Sequence, residues 1–128
     1  MTVSSNDAEG GETSGILIPL SDARRQRSSM PVAFHRRELD LILRLYGRMV
    51  AANEWRDYAI DHLPDRAIFS VFRRASETPL FRIVKDPSLA RRQGAYSVLG
   101  AAGQNLKRGH ELAQVLTVFE KTLRLVEA

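Results

Sequence analysis

The chain has 128 residues, 44% of them hydrophobic, and no cysteine; that is enough for one core and too short for two comfortable domains. The missing thiols exclude disulfides, thiolate catalysis and cysteine-ligated zinc or iron–sulfur sites, and they fit a reducing, cytoplasmic setting. The net charge of +4 is uneven, −1 over the first 33 residues and +5 over the rest, and 16 of the 19 basic residues are arginine. Arginine suits bidentate phosphate or carboxylate contacts, although a GC-rich coding bias would enrich it equally well.

Residues 1 to 15 are Ser, Gly, Asp, Glu and Thr with almost nothing to bury, so residues 1 to 33 read as a disordered tail and residues 34 to 128 as a single domain. Ile16 to Leu20, followed by Arg24, Arg25 and Arg27, is a short apolar run in that tail. It reads as a docking segment or simply as a sticky stretch, and it is far too short for a membrane span or an export signal.

From Arg36 to Asn53 the pattern is helical. Leu39, Ile42, Leu43, Tyr46, Met49 and Val50 recur every three or four residues, with Arg37, Asp40, Arg44 and Arg48 between them. Leu41 and Leu45 widen the apolar arc, which predicts a helix covered on more than one side, and Gly47 predicts close approach by another element.

Tyr58 to Leu63 reads as a first strand, with Pro64 and Asp65 turning into a hairpin over Ala67 to Lys85. Its strands are Ile68 to Phe72 and Leu80 to Val84, joined through Ser76, Glu77, Thr78 and Pro79. Alternation puts Phe69 and Val71 beside Phe81 and Ile83 on one apolar face. The other face holds Ile68, Ser70, Phe72, Leu80, Arg82 and Val84, too greasy to be simply solvated. Ala95 to Gly100 is read as a fourth strand and Gln104 to Lys107 as a short fifth. After Gly109 and His110 comes a closing helix with Leu112, Val115, Leu116, Phe119, Leu123 and Val126 on its apolar side. The expected fold is therefore α+β: an antiparallel meander of four or five strands, flanked by an N-terminal and a C-terminal amphipathic helix that pack on one face.

Three stretches, FHRRELDLILRLYGRMVAANEWRDYAIDHL, FSVFRRASETPLFRIVKDPSLARRQGAYSV and LKRGHELAQVL, together resemble the bacterial family catalogued as domain of unknown function 2794. The likeness runs from about Phe34 to Leu125. It is carried most clearly by Leu45-Tyr46-Gly47, Glu54 to Tyr58, Phe72-Arg73-Arg74 and Arg91 to Tyr96. The resemblance implies a domain boundary near Phe34 and no mechanism.

The residues themselves offer little chemistry. Asp57, Asp61 and His62 are close in sequence, but Asp61 and His62 face opposite sides of a strand, and no HExxH, paired-carboxylate or Ser-His-Asp spacing occurs. Neither an enzyme, a metal nor a cofactor is expected. Lys107 and Arg108 beside the last helix's N-terminus could hold an anion, against the plainer reading of a capped helix with solvated basic flanks. Arg73, Arg74, Arg82, Lys85, Arg91, Arg92, Lys107 and Arg108 would suit a nucleic-acid backbone if they gathered into one patch with Phe72, Phe81 or Tyr96 exposed among them. Trp55 and Tyr58 read as a core anchor or as a partner hot spot. With Ile68, Phe72, Leu80 and Val84 they form the candidate partner interface. The expected function is a small cytoplasmic binding module, either a homodimerising or protein-interaction regulator or, alternatively, a nucleic-acid-binding one.

Overall fold

His35 opens the first helix, α1 (Arg36–Ala51), with a reciprocal capping box. Its imidazole accepts from the Glu38 N–H, while the Glu38 Oε1 accepts from the His35 N–H at 2.8 Å. The helix buries Glu38, Ile42, Leu45 and Met49, a single stripe at i, i+4, i+7 and i+11. Leu41, Leu43 and Val50 are exposed, so the expected cover on a second side is absent among the described residues. Among the described residues nothing lies within 4 Å of where a Gly47 Cβ would stand, and none makes the close approach expected there. The computed structural model describes residues 30–74 and 78–127. The expected tail up to residue 29, its Ile16 to Leu20 run and the turn residues Ser76 and Glu77 lie outside them.

The end of α1 aims the chain at the core. Asn53 takes a left-handed conformation (φ 61°); its N–H donates to the Val50 carbonyl and the Glu54 N–H to the Met49 carbonyl, both at 2.9 Å. This is a Schellman ending with asparagine in the place glycine usually takes. Two residues on, Trp55 is 1% exposed and meets Phe119 edge-on at 5.1 Å.

Five strands follow in meander order: β1 (Asp57–His62), β2 (Ala67–Phe72), β3 (Phe81–Lys85), β4 (Tyr96–Gly100) and β5 (Asn105–Gly109), all antiparallel. The hairpin register pairs Phe69 with Ile83 and Val71 with Phe81, as the alternation predicts, and Phe69, Val71, Ile83 and Val98 are fully buried. Leu80 is a correction. It precedes β3, its N–H bonds the Val71 carbonyl and its side chain packs against the core, because strand alternation does not extend to a residue outside the ladder. Gly94, at φ 100°, lets β4 begin against β5: a Cβ there would sit 2.1 Å from the Gly109 carbonyl carbon.

The closing segment is not one helix. It comprises α2 (Leu112–Val115), a 3-10 stretch (Leu116–Phe119) and α3 (Glu120–Glu127). Val115, Thr117 and Val118 crowd a helical backbone, and the Thr117 hydroxyl donates to the Gln114 carbonyl at 2.6 Å, a local bond that competes with the helical ladder. The tighter turn still buries Leu112, Val115, Leu116, Phe119 and Leu123. With the α1 stripe these residues cover one face of the sheet, so the α+β meander stands as expected. The strand ends shift by a residue or so, and Gly109 belongs to β5 rather than breaking it.

Candidate functional site

Antiparallel register places three features on this frame. On the helix-covered face, Lys85 and Tyr96 are register partners, and both reach the buried carboxylate of Glu38. Lys85 Nζ donates to Glu38 Oε1 at 2.9 Å and to the Ala33 carbonyl at 2.9 Å, and the Tyr96 hydroxyl donates to Glu38 Oε2. Burial pushes the Glu38 carboxyl up, but the bonds from Tyr96, Lys85 and the His35 amide, with the Lys85 charge, outweigh it and hold the group below its usual carboxylate value. Burial and the facing Glu38 push the Tyr96 phenol up to about 12. Composition and spacing left this network unseen, although a glutamate four residues before Ile42, on the apolar stripe, was a signal for it. Lys85 is therefore committed to Glu38 and not offered to a ligand.

The remaining cations do not form one patch. Arg73 and Arg74 follow β2, whereas Arg91 and Arg92 lie in the β3–β4 connection at the opposite end of the sheet. Lys107 Nζ donates to the Thr117 hydroxyl at 3.2 Å. The N-cap of α2 is Glu111, so the expected anion site there meets an acidic side chain on a helix of four residues. Arg73 and Arg74 instead share a recess of about 200 Å³ with Asn53 and Arg56. The Arg56 N–H bonds the Phe72 carbonyl at 2.9 Å, which joins the start of β1 to the end of β2, and the Tyr46 hydroxyl bonds the Arg56 carbonyl at 2.7 Å.

The second face of the sheet carries the third feature. One register row runs Asp61, Ile68, Val84, Ser97, Arg108 across all five strands. The next holds Ala59, Ser70, Arg82 and Leu99, and Asp57 pairs with Phe72 beyond it. Acidic residues thus sit on β1 and basic ones on β3 and β5. The Arg108 Nε is buried without a hydrogen-bond partner, and neither Arg82 nor Arg108 has an ion pair among the described residues. Ser70, Val84 and Ser97 are buried while Ile68, Phe72, Arg82 and Leu99 are half-buried; small side chains between longer ones are shielded by the longer stems. Of the interface candidates, Ile68, Phe72 and Val84 lie on this face, Tyr58 stacks on Phe69 at 4.9 Å, and Trp55 is a core residue with no surface to present.

A family model described as Protein of unknown function (DUF2794) matches residues 32–116. The chain belongs to this family. The DUF2794 match contains α1, the whole sheet and α2, and therefore the Glu38 network, the arginine recess and the second face; α3 lies beyond it. No curated protein and no solved structure matches the chain. Among the described residues no group of three or more His, Cys, Asp or Glu side chains could hold a metal ion, and no helix is long and apolar enough to cross a membrane.

Proposed function

We propose that this DUF2794 domain is a cytoplasmic module that acts by binding rather than catalysis, and that it pairs with a second copy of itself through the second face of its sheet. The observation that carries the reading is the Asp61–Ile68–Val84–Ser97–Arg108 row, acidic at one end, apolar in the middle, and basic at the end where the Arg108 Nε lacks a partner. A two-fold axis along β3 lays β1 of one protomer over β5 of its partner. It sets Asp61 against the partner's Arg108 twice over, with Val84 near the axis. Covering the half-buried Arg108 charge is costly unless it is paired, and this arrangement brings a carboxylate to it.

Magnitude decides the strength expected. Five strands of five or six residues span roughly 20 by 17–20 Å, no more than about half of the ~800 Å² that standard interfaces bury per partner, so a weak, readily reversible pairing is expected. The test is a charge exchange followed by sedimentation at micromolar concentrations. Arg108→Asp and Asp61→Arg are each expected to weaken association tenfold or more, and the double variant to recover it. A wild-type protein that stays monomeric at high micromolar concentration overturns the reading. Failure of the double exchange to restore pairing rejects this register. The nucleic-acid reading has less support, since its arginines lie at opposite ends of the sheet.

A further inference from the structure

We propose that the corner recess formed by Asn53, Arg56, Arg73 and Arg74 is a binding site for a single phosphate group. Three arginines line it from two adjoining strand ends. Their backbones are tied by the Arg56 N–H to Phe72 carbonyl bond, so the positive charge is gathered by the fold rather than by chance surface crowding. Asn53, held left-handed by the Schellman ending of α1, lines the recess beside them.

The charge count selects the ligand. Glu54 lies 3.8 Å from Arg73, while Arg56 and Arg74 meet no carboxylate among the described residues. Counted over the described residues, these two guanidinium groups match the near −2 charge of a phosphomonoester at neutral pH. Each guanidinium presents a planar fork of N–H donors. A carboxylate accepts one such fork bidentately, whereas a phosphate has three strong acceptor oxygens and takes two or three. The recess, at about 200 Å³, is smaller than the ~300–1,000 Å³ of sites that enclose drug-sized molecules. It fits the charged head of a ligand and leaves the body of an organic phosphate outside.

The experiment is titration calorimetry on the full chain with four probes: inorganic phosphate, adenosine monophosphate, and a short oligonucleotide with and without a 5′-phosphate. Saturable binding of the phosphate-bearing probes, weakened tenfold or more by Arg74→Gln and by Arg56→Gln, is the expected result. Both side chains are exposed, so each variant should keep the wild-type melting temperature without ligand, and circular dichroism checks this. Equal affinity for inorganic phosphate and the nucleotide identifies free phosphate as a sufficient ligand, while tighter nucleotide or 5′-phosphorylated binding identifies an esterified source. No saturable binding at millimolar phosphate, or unchanged affinity in both variants, overturns the proposal. Equal binding of the two oligonucleotides overturns it as well, because a nucleic-acid backbone and not a terminal phosphate would then be the ligand.

Discussion

Glu38 occupies a position where the helical pattern calls for an apolar side chain, and its 3% exposure makes its partners decisive. Removing one member of a buried ion pair typically costs about 3–5 kcal/mol, because the other charge is left stranded. Lys85→Met is therefore expected to lower stability by about that amount in urea unfolding, well beyond the loss of an exposed pair. The pH dependence follows from the direction of each shift. The Glu38 carboxyl lies below its ordinary value of 4.5 when folded, so its contribution is present above that value and is lost as pH falls through the folded one. The Tyr96 phenol is raised from 10.0 to about 12, so its contribution is complete below pH 10 and fades as pH rises toward 12. Tyr96→Phe should destabilise the protein and flatten the alkaline limb of a melting-temperature profile; an unchanged limb would detach the phenol from the network. Sequence reading missed this network because register partners on β3 and β4 converge on α1 only after folding, from residues some fifty positions apart.

At the scale of elements, the turns and breaks hold most of the difference between the expected and the observed fold. The alternation in β2 and β3 was legible because period two separates Phe69 and Val71 from Ile68 and Phe72 without any knowledge of the partner strand. The break in the closing helix was not, since its apolar spacing fits α-helical and 3-10 periods nearly equally over the eight residues from Leu112 to Phe119. Gly47 tests the element level directly. It is exposed on α1 with open space around its Cβ position, so Gly47→Ala is expected to stabilise the domain by about 1 kcal/mol through helix propensity alone. Gly94→Ala should do the reverse, because the added methyl group would overlap the Gly109 carbonyl and part β4 from β5 where they meet. A thermal melt in which the two changes have the same sign would contradict the packing described for α1 and for the sheet edge.

At the scale of the whole molecule, the sheet has one face closed by α1, α2, the 3-10 stretch and Leu123 of α3 and another whose charges point away from that core. The mixed composition of the second face could be read from one hairpin, but its self-complementary row could not. That row depends on the tight β1–β2 turn at Pro64-Asp65 and on the irregularity at Val98/Leu99 in the β4 ladder, which together decide which residues of non-neighbouring strands come into line. If two copies share this face, folding is linked to association, and stability must rise with protein concentration. Each tenfold increase above the dissociation constant adds about 1.4 kcal/mol per dimer, which is a shift of several degrees in the melting temperature of a domain this size. Phe72→Glu, which places a charge among the apolar side chains of that face, is expected to abolish the concentration dependence. Arg82→Leu is expected to strengthen it, because an arginine on the strand nearest the axis meets its own copy there, and removing that like-charge contact favours the pair. A melting temperature that does not change over a hundredfold range of wild-type concentration would remove the shared face from this account and leave Arg108 to find its partner within its own chain.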